Sequence, residues 1–276
     1  MSAGNDDEME ASRAPLLDHL MELRSRLVVS LVALVIAFGV CFAFADPLFE
    51  YMIEPFKAAM AAVHPDRANE AIELVYTGAF GFFGVKMAIA LFAAIIVSFP
   101  VIAWQAYAFI APGLYKRERM AVAPFLVAAP VMFLLGGAFV YFVAMPFALE
   151  FALKQEVVRN GVAVTYLPKV EEYLGLVTTL VLAFGLFFQL PVVLALLARV
   201  GILGASMLRK GRRFAIVGIA AFAALVTPPD VLSMTLMAVP MYLLFEISIW
   251  VVWLIEKSQN AARARADAEP QYRPAE

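Results

Sequence analysis

The chain has 276 residues, of which 63% are hydrophobic and 16% charged, and its formal net charge at pH 7 is −2. With a mean hydropathy of +0.84, it carries too much apolar surface for a soluble globule of this length, so the composition indicates a polytopic membrane protein. The single cysteine, Cys41, excludes an intrachain disulfide and a thiolate metal cluster, and no cofactor is expected.

The chain begins with an acidic segment that leads into an amphipathic stretch. The first ten residues are acidic and lack the basic flank of a cleavable secretory signal, and residues 1–14 are predicted to be a flexible N-terminus. In the stretch that follows, leucines recur every three to four residues, and charged residues share the other side. The leucines are Leu16, Leu20, Leu23 and Leu27, and the charged residues are Asp18, Glu22 and Arg26. The pattern predicts a helix along the membrane surface, which places Glu22 near the edge of the bilayer.

Six apolar segments approach the length of about 20 residues that crosses the hydrocarbon core. They are residues 27–45, 79–109, 121–147, 173–198, 214–227 and 231–255, within a single domain over residues 15–255. The fifth segment is short, because the uncharged run from Phe214 to Pro229 rises only about 24 Å as a helix. Local thinning of the bilayer beside this segment is the predicted consequence.

The distribution of Lys and Arg predicts the orientation. Fifteen of them fall before the first span, after the even-numbered spans or in the tail, against five in the opposite connections, so both termini are predicted to be cytoplasmic. The first external connection contains a helix-like piece around residues 48–63, and the second has a turn at Asn160 and Gly161. Residues 258–276 lack apolar periodicity and are predicted to be disordered.

Two acids on the predicted cytoplasmic rim, Glu22 and Glu118, are candidate ligand-binding residues. Each has an ordinary alternative: Glu22 is placed for an i, i+4 pair with Arg26, and Glu118 could be an acid caught among the basic residues of a positive-inside loop. Together, however, two separated carboxylates on one face can each accept a planar guanidinium through two hydrogen bonds. Lys cannot reproduce that geometry.

Three polar residues inside the spans are candidates for a structural or functional role. Lys86 lies near the outer end of the second span, where its stem can snorkel to the interface. Glu246 lies in the middle of the sixth span. The sequence leaves two interpretations open for this residue: a hydrogen-bonded partner inside the protein, or a role in proton or partner coupling. Gln189, just before Pro191, is expected to form an interhelical hydrogen bond.

Catalytic patterns are missing from the sequence. The two histidines, His19 and His64, lie outside the spans, so an intramembrane serine protease has no base. The sequence has no phosphate-binding glycine loop and no HExxH zinc motif. The prediction is a protein that is not an enzyme.

Five motifs are spread over most of the chain: residues 19–27 (HLMELRSRL), 108–119 (AFIAPGLYKRER), 141–142 (YF), 227–231 (TPPDV) and 240–246 (PMYLLFE). In sequence and in order they resemble those of one family, TatC, the multispanning core subunit of the twin-arginine protein translocase. The resemblance implies an all-α fold of six transmembrane helices in a concave, glove-like arrangement. It also implies single-span partners, TatA and TatB, and folded precursor proteins as cargo.

The resemblance further implies functional residues. Glu22 and Glu118 match the acids that read the paired arginines of the signal peptide, and Pro55 matches a structural proline of the first external loop. Other positions of the signal-peptide site are matched by Arg24, Phe109, Pro112, Leu114 and Lys116. Partner-docking or intramembrane polar positions are matched by Gln189, Thr227, Met234 and Glu246. Gln189 and Met234 depart from the Glu and Gln that are common in the family, so the docking surfaces are expected to be less polar here.

The leading hypothesis is therefore a receptor and scaffold in the cytoplasmic (inner) membrane, with transport driven by the proton-motive force. The protein is expected to form a homo-oligomer within a TatBC-type complex and to bind no nucleic acid. A six-span proton-coupled solute transporter that uses Glu246 and Lys86 is the competing hypothesis. The lack of an internal repeat argues against it. A purely structural membrane organiser is the third possibility, and it would be insensitive to both rim acids.

Overall fold

The computed structural model describes residues 3–67, 74–76, 80–110, 116–159, 162–164, 166–227 and 231–268. Nearly all of these residues are helical. The helices are α1 (Ala3–Ala43), α2 (Ala45–Val63), α3 (Gly81–Ile110), α4 (Lys116–Phe139), α5 (Met145–Leu153), α6 (Val170–Phe187), α7 (Leu190–Arg199), α8 (Ala205–Val226) and α9 (Val231–Ala268). Two short strands, β1 (Val157–Arg159) and β2 (Val162–Val164), pair antiparallel.

Within the described residues, five helical stretches are long and apolar enough to cross a membrane: His19–Ala43, Gly81–Phe109, Pro124–Leu153, Val170–Arg199 and Val231–Ala261. Helix α8 is not among them, because its first half carries a cluster of basic residues and only the part from Phe214 to Val226 is apolar. It corresponds to the predicted fifth segment, which is the short one. In hydrocarbon a helix satisfies every backbone polar group internally, which is why apolar segments of this length are helical.

The contacts divide the chain into two compact units, residues 1–52 with 76–119, and residues 53–75 with 120–276. In the first unit α1 packs along α3 through small residues. Ala37 and Cys41 of α1 meet Ala90, Ala93 and Ala94 of α3 in a buried cluster. Small side chains let the two backbones approach closely, and that approach gives the dispersion contacts on which helix association in lipid depends.

In the second unit α4 packs closely against α6 through glycines. A Cβ on Gly136 would lie 2.7 Å from the backbone oxygen of Phe184, and a Cβ on Gly185 would lie 2.7 Å from the ring of Phe133. The ring of Phe139 stacks on that of Phe184 with centroids 5.6 Å apart. One π-helical turn, Val140–Ala144, joins α4 to α5, next to Pro146, which has no N–H to donate.

The fourth apolar segment is broken into α6 and α7. The break falls at Phe188 and Gln189, directly before Pro191, which lies in the first turn of α7. Because proline cannot donate a backbone hydrogen bond to the preceding turn, the segment bends here. Pro100 and Pro240 lie inside α3 and α9, which continue through them.

The α7–α8 turn packs against helix α9 in the second unit. Gly201, with φ of 81°, makes the turn after α7, a conformation that favours glycine. Ala198, Ala205 and Val252 form a buried cluster. The Gln259 amide donates to the backbone oxygen of Arg199 at 2.8 Å, which satisfies a carbonyl at the C-terminus of α7.

A folded cap lies between α5 and α6. Phe56 of α2 packs on Tyr166 and Tyr173, with centroids 6.3 and 5.6 Å away. The Tyr166 N–H donates to Glu156 at 2.9 Å, and His64 lies 3.1 Å from the other carboxylate oxygen of Glu156. Burial and the nearby Glu172 carboxylate raise the pKa of Tyr166.

Two terminal predictions differ from the structure. Helix α1 begins at Ala3, where a flexible segment over residues 1–14 is predicted, and α9 continues to Ala268, past the predicted start of disorder at 258. Alanine and glutamate favour helix, and acids near a helix N-terminus interact favourably with its dipole. The predicted turn at Asn160 and Gly161 falls outside the described residues, although Arg159 and Val162 on either side are paired.

The close approach of α4 and α6 predicts the effect of adding one methyl group. We expect Gly136→Ala to lower the free energy of unfolding by about 1–3 kcal/mol, because its Cβ would overlap the α6 backbone. Gly175→Ala in α6 is the matched control, since nothing lies within 4 Å of its Cβ position, and it should be neutral or slightly stabilising. Denaturation of both variants in detergent tests this. Equal stability of the two variants would show that α4 and α6 can move apart without lowering the free energy of unfolding.

Candidate functional site

Glu22 of α1 binds a guanidinium group in this structure. Arg26, one turn later, donates from Nε and Nη2 to Oε1 of Glu22 at 3.0 and 2.5 Å. Its Nη1 lies 3.5 Å from the side-chain oxygen of Gln105 on α3. The side chains of Glu22 and Arg26 keep 33% and 25% of their surface exposed. The carboxylate therefore forms the i, i+4 pair of the alternative reading and remains accessible to solvent.

Two further site residues lie around this pair. Phe109, at the end of α3, stacks on His19 of α1 with centroids 4.3 Å apart and an interplanar angle of 24°. Arg24 is exposed, and no carboxylate pairs with it among the described side chains. The first unit thus places Phe109 beside His19, about one helical turn from Glu22, whereas Arg24 lies two residues after Glu22 and faces another side of α1.

The remaining residues of the predicted site belong to the connection between α3 and α4. Pro112 and Leu114 lie outside the described residues. Lys116 and Glu118 lie in the first turn of α4, and their side chains are outside the described part of the structure. An acid in the first turn of a helix is favoured by the helix dipole.

The two charged residues of the transporter hypothesis have different partners. Lys86 pairs with Asp46 at 2.5 Å, and its ammonium lies 5.2 Å from the centre of the Phe82 ring. Glu246 of α9 accepts a hydrogen bond from Arg212 of α8 at 2.6 Å and another from the Tyr242 hydroxyl at 2.8 Å. Ion pairing of this kind lowers the cost of charge near the hydrocarbon.

Gln189 is bonded inside the second unit. Its side-chain amide donates to the backbone oxygen of Ala129 on α4 at 2.8 Å. That oxygen lies one residue before Pro130, in a helix that also contains Pro124. The bond connects the α6–α7 break to α4, which is the kind of interhelical bond that the sequence predicts.

Thr227 and Met234 lie at the ends of α8 and α9, and Pro55 lies inside α2. Thr227, buried, donates from its hydroxyl to the backbone oxygen of Ala223 at 2.8 Å, and Met234 is half-buried in the first turn of α9. Residues 228–230 between them are outside the described part. Pro55 is buried in α2 beside Phe56, which supports a structural contribution.

Sequence reasoning missed three contacts among the described residues. Gln105 carries no signal of its own, since it is one polar residue near the end of a span and meets Arg26 only through the packing of α1 on α3. Arg212 and Tyr242 were also missed as partners of Glu246. An i, i+4 spacing links Tyr242 to Glu246, and this was the available signal. No group of three or more His, Cys, Asp or Glu among the described residues is arranged to hold a metal ion.

These helices and their paired polar residues define a multi-pass α-helical membrane protein. The family model for the Sec-independent protein translocase protein (TatC) matches residues 18–240. The chain is 35% identical to the TatC protein of Magnetococcus marinus over 93% of its own length and 90% of that protein. It is 39% identical to TatC of Campylobacter jejuni, over 85% and 91% of the two chains. The chain belongs to the TatC family and is a subunit of the Tat protein translocase.

Solved structures agree with this assignment. A crystal structure of the twin-arginine translocase receptor TatC superposes with a TM-score of 0.71 at 34% identity, covering 86% of this chain and 99% of the other. A second crystal structure of that receptor, in the detergent DDM, gives 0.72 at 36% identity, with 84% and 98% covered. The predicted family and the all-α polytopic membrane fold are therefore confirmed.

The pair between α8 and α9 predicts a measurable coupling. In a double-mutant cycle with Arg212→Gln and Glu246→Gln, we expect a coupling free energy of about 0.5–1 kcal/mol, since both side chains are partly exposed. The cycle of Arg213→Gln with Glu246→Gln is the control and should give none, because Arg213 packs on Phe214 instead. Unfolding in detergent gives each value. Equal coupling in both cycles would mean a general charge effect.

Proposed function

We propose that this chain is the signal-peptide receptor of its translocase, and that Glu22 and Glu118 each bind one arginine of the twin-arginine motif. The observation that carries the proposal is the Glu22 carboxylate, which already accepts two hydrogen bonds from a guanidinium. The guanidinium of Arg26 occupies the position that we propose for an arginine side chain of the signal peptide. The superposed crystal structures are those of a twin-arginine translocase receptor, which supports the same function.

Binding in this proposal is an exchange of guanidinium groups. The arginine of the signal peptide replaces Arg26 on Glu22, and Gln105, 3.5 Å from Nη1 of Arg26, retains the displaced side chain. Because one cation replaces another, Glu22 is never left unpaired at the bilayer edge. Arg24, Lys116, Phe109, Pro112 and Leu114 shape the surroundings of the two acids.

The scaffold part of the proposal concerns the single-span partners TatA and TatB. Gln189, Thr227, Met234 and Glu246 are the proposed docking or intramembrane polar residues. The side chains of Gln189, Thr227 and Glu246 form hydrogen bonds within the chain. A partner helix therefore meets a mainly apolar surface here. We place the protein in the cytoplasmic membrane with both termini inside, following the asymmetry of Lys and Arg, and the proton-motive force supplies the energy.

The first prediction concerns Glu22. For a synthetic twin-arginine signal peptide we expect Glu22→Gln to weaken binding about two- to fivefold. One charge-assisted bidentate contact is worth about 1.4 kcal/mol, and the pair with Arg26 that the peptide displaces offsets about 0.5–1 kcal/mol of it. Glu54→Gln is the matched control, because Glu54 is also an acid paired with a nearby cation on its own helix, Lys57, at 2.6 Å. Fluorescence anisotropy with the purified chain in detergent measures both. A twin-lysine peptide should bind wild type more weakly.

Equal binding of wild type, Glu22→Gln and Glu118→Gln, and of both peptides, would refute the receptor proposal. Equal weakening by Glu54→Gln would show that the peptide responds only to net charge.

The second prediction concerns the exchange. Arg26→Gln should tighten binding of the twin-arginine peptide about two- to fivefold, because the competing pair is worth about 0.5–1 kcal/mol. Arg24→Gln removes the same charge from the same helix without freeing Glu22, and should not tighten binding. Weaker binding by Arg26→Gln would mean that Arg26 orients Glu22 for the ligand and does not compete with it.

A further inference from the structure

An apolar groove runs between α8 and α9, with a volume of about 300 Å³. Ile216 and Ile219 line it from α8, and Val239 and Leu243 from α9, with Tyr242 as its one polar side chain. Ile216, Val239 and Leu243 are about half exposed. The groove is therefore open along its side, at the low end of the volumes of roughly 300–1,000 Å³ that hold small ligands.

One end of the groove carries a cluster of cations. Arg212 lies one helical turn before Ile216, and Arg209 and Arg213 lie on the same face of α8 at helical spacing. All three are exposed. Arg212 is paired with Glu246, whereas within the described residues no carboxylate pairs with Arg209 or Arg213. The groove thus ends at two cations without an acidic partner.

Helix α9 carries tryptophans toward the same end of the groove. Trp250 and Trp253 follow Glu246 by one and two turns, with ring centroids 6.5 Å apart. The ammonium of Lys257 lies 5.2 Å from the centre of the Trp253 ring. Tryptophan is enriched where the lipid headgroups lie, so the cations are at headgroup level and the groove extends from them into the hydrocarbon.

We propose that an anionic phospholipid binds this groove, with an acyl chain between α8 and α9 and its phosphate beside Arg209 and Arg213. The apolar part alone selects no lipid, because every acyl chain is as apolar as the groove. Selectivity comes from the unpaired cations, and basic pockets between membrane helices are known to bind anionic headgroups. A partner helix is the competing occupant. The two cations at the end of the groove favour the phosphate of a lipid over such a helix.

Quenching of tryptophan fluorescence tests the proposal. The full chain carrying Trp104→Phe retains Trp250 and Trp253 as reporters, and is reconstituted in phosphatidylcholine vesicles with acyl-brominated phosphatidylglycerol or acyl-brominated phosphatidylcholine at equal mole fraction. We expect stronger quenching by the anionic lipid. Arg209→Gln and Arg213→Gln together should reduce that preference, by about fivefold for each removed charge.

Lys210→Gln is the matched control, because Lys210 is exposed, has no carboxylate partner within the described residues and lies farther around α8 from Ile216 than Arg209 and Arg213 do, so it should keep the preference. Ala220→Leu narrows the groove without changing charge, and should lower quenching by both lipids. Equal quenching of the Trp104→Phe chain by the two lipids would overturn the proposal. So would an equal loss in Lys210→Gln, which would mean that only the total charge matters, or unchanged quenching in Ala220→Leu.

Discussion

The cost of an unsatisfied polar group in hydrocarbon is the constraint on which this structure depends. It makes the apolar segments helical, since a helix bonds its own backbone. It also gives the described intramembrane polar residues near partners: Glu246 binds Arg212 and Tyr242, and Gln189 binds the Ala129 carbonyl. These bonds join α8 to α9 and the α6–α7 break to α4. Because small residues let α1 approach α3 and α4 approach α6 closely, dispersion supplies what hydrophobic burial cannot supply in lipid.

Much of the fold could be predicted from the sequence, because hydropathy and length depend on one residue at a time. The short apolar part of α8 and the bend before Pro191 follow from residues read in order. The helical ends at Ala3 and Ala268 could not be predicted in the same way. There the composition is polar without periodicity, and such composition is shared by solvated helices and disordered tails.

The candidate site was less accessible to sequence reasoning, since its contacts cross between helices. An i, i+4 spacing suggests that Glu22 and Arg26 pair, and they do. The same spacing cannot indicate that Gln105, 79 positions along the chain from Arg26, completes the arrangement. Nor does it bring Arg212 to Glu246, for which the packing of α8 on α9 is needed. The family resemblance implies that Glu22 and Glu118 bind arginine, but only the structure shows that Arg26 already occupies Glu22.

In the receptor proposed above, an occupied acid changes how selectivity for paired arginines would arise. If Glu22 were empty, any cation would gain from neutralising it, and lysine would compete well in a site near the low-dielectric bilayer. Because Arg26 already supplies a guanidinium, an incoming residue gains only the difference between two cations. A lysine ammonium, with one compact charge, cannot reproduce the paired donation from Nε and Nη2 that Arg26 makes to Oε1 of Glu22, whereas an arginine can. The internal competitor thus removes the nonspecific electrostatic part of the binding energy and retains the part that distinguishes arginine from lysine.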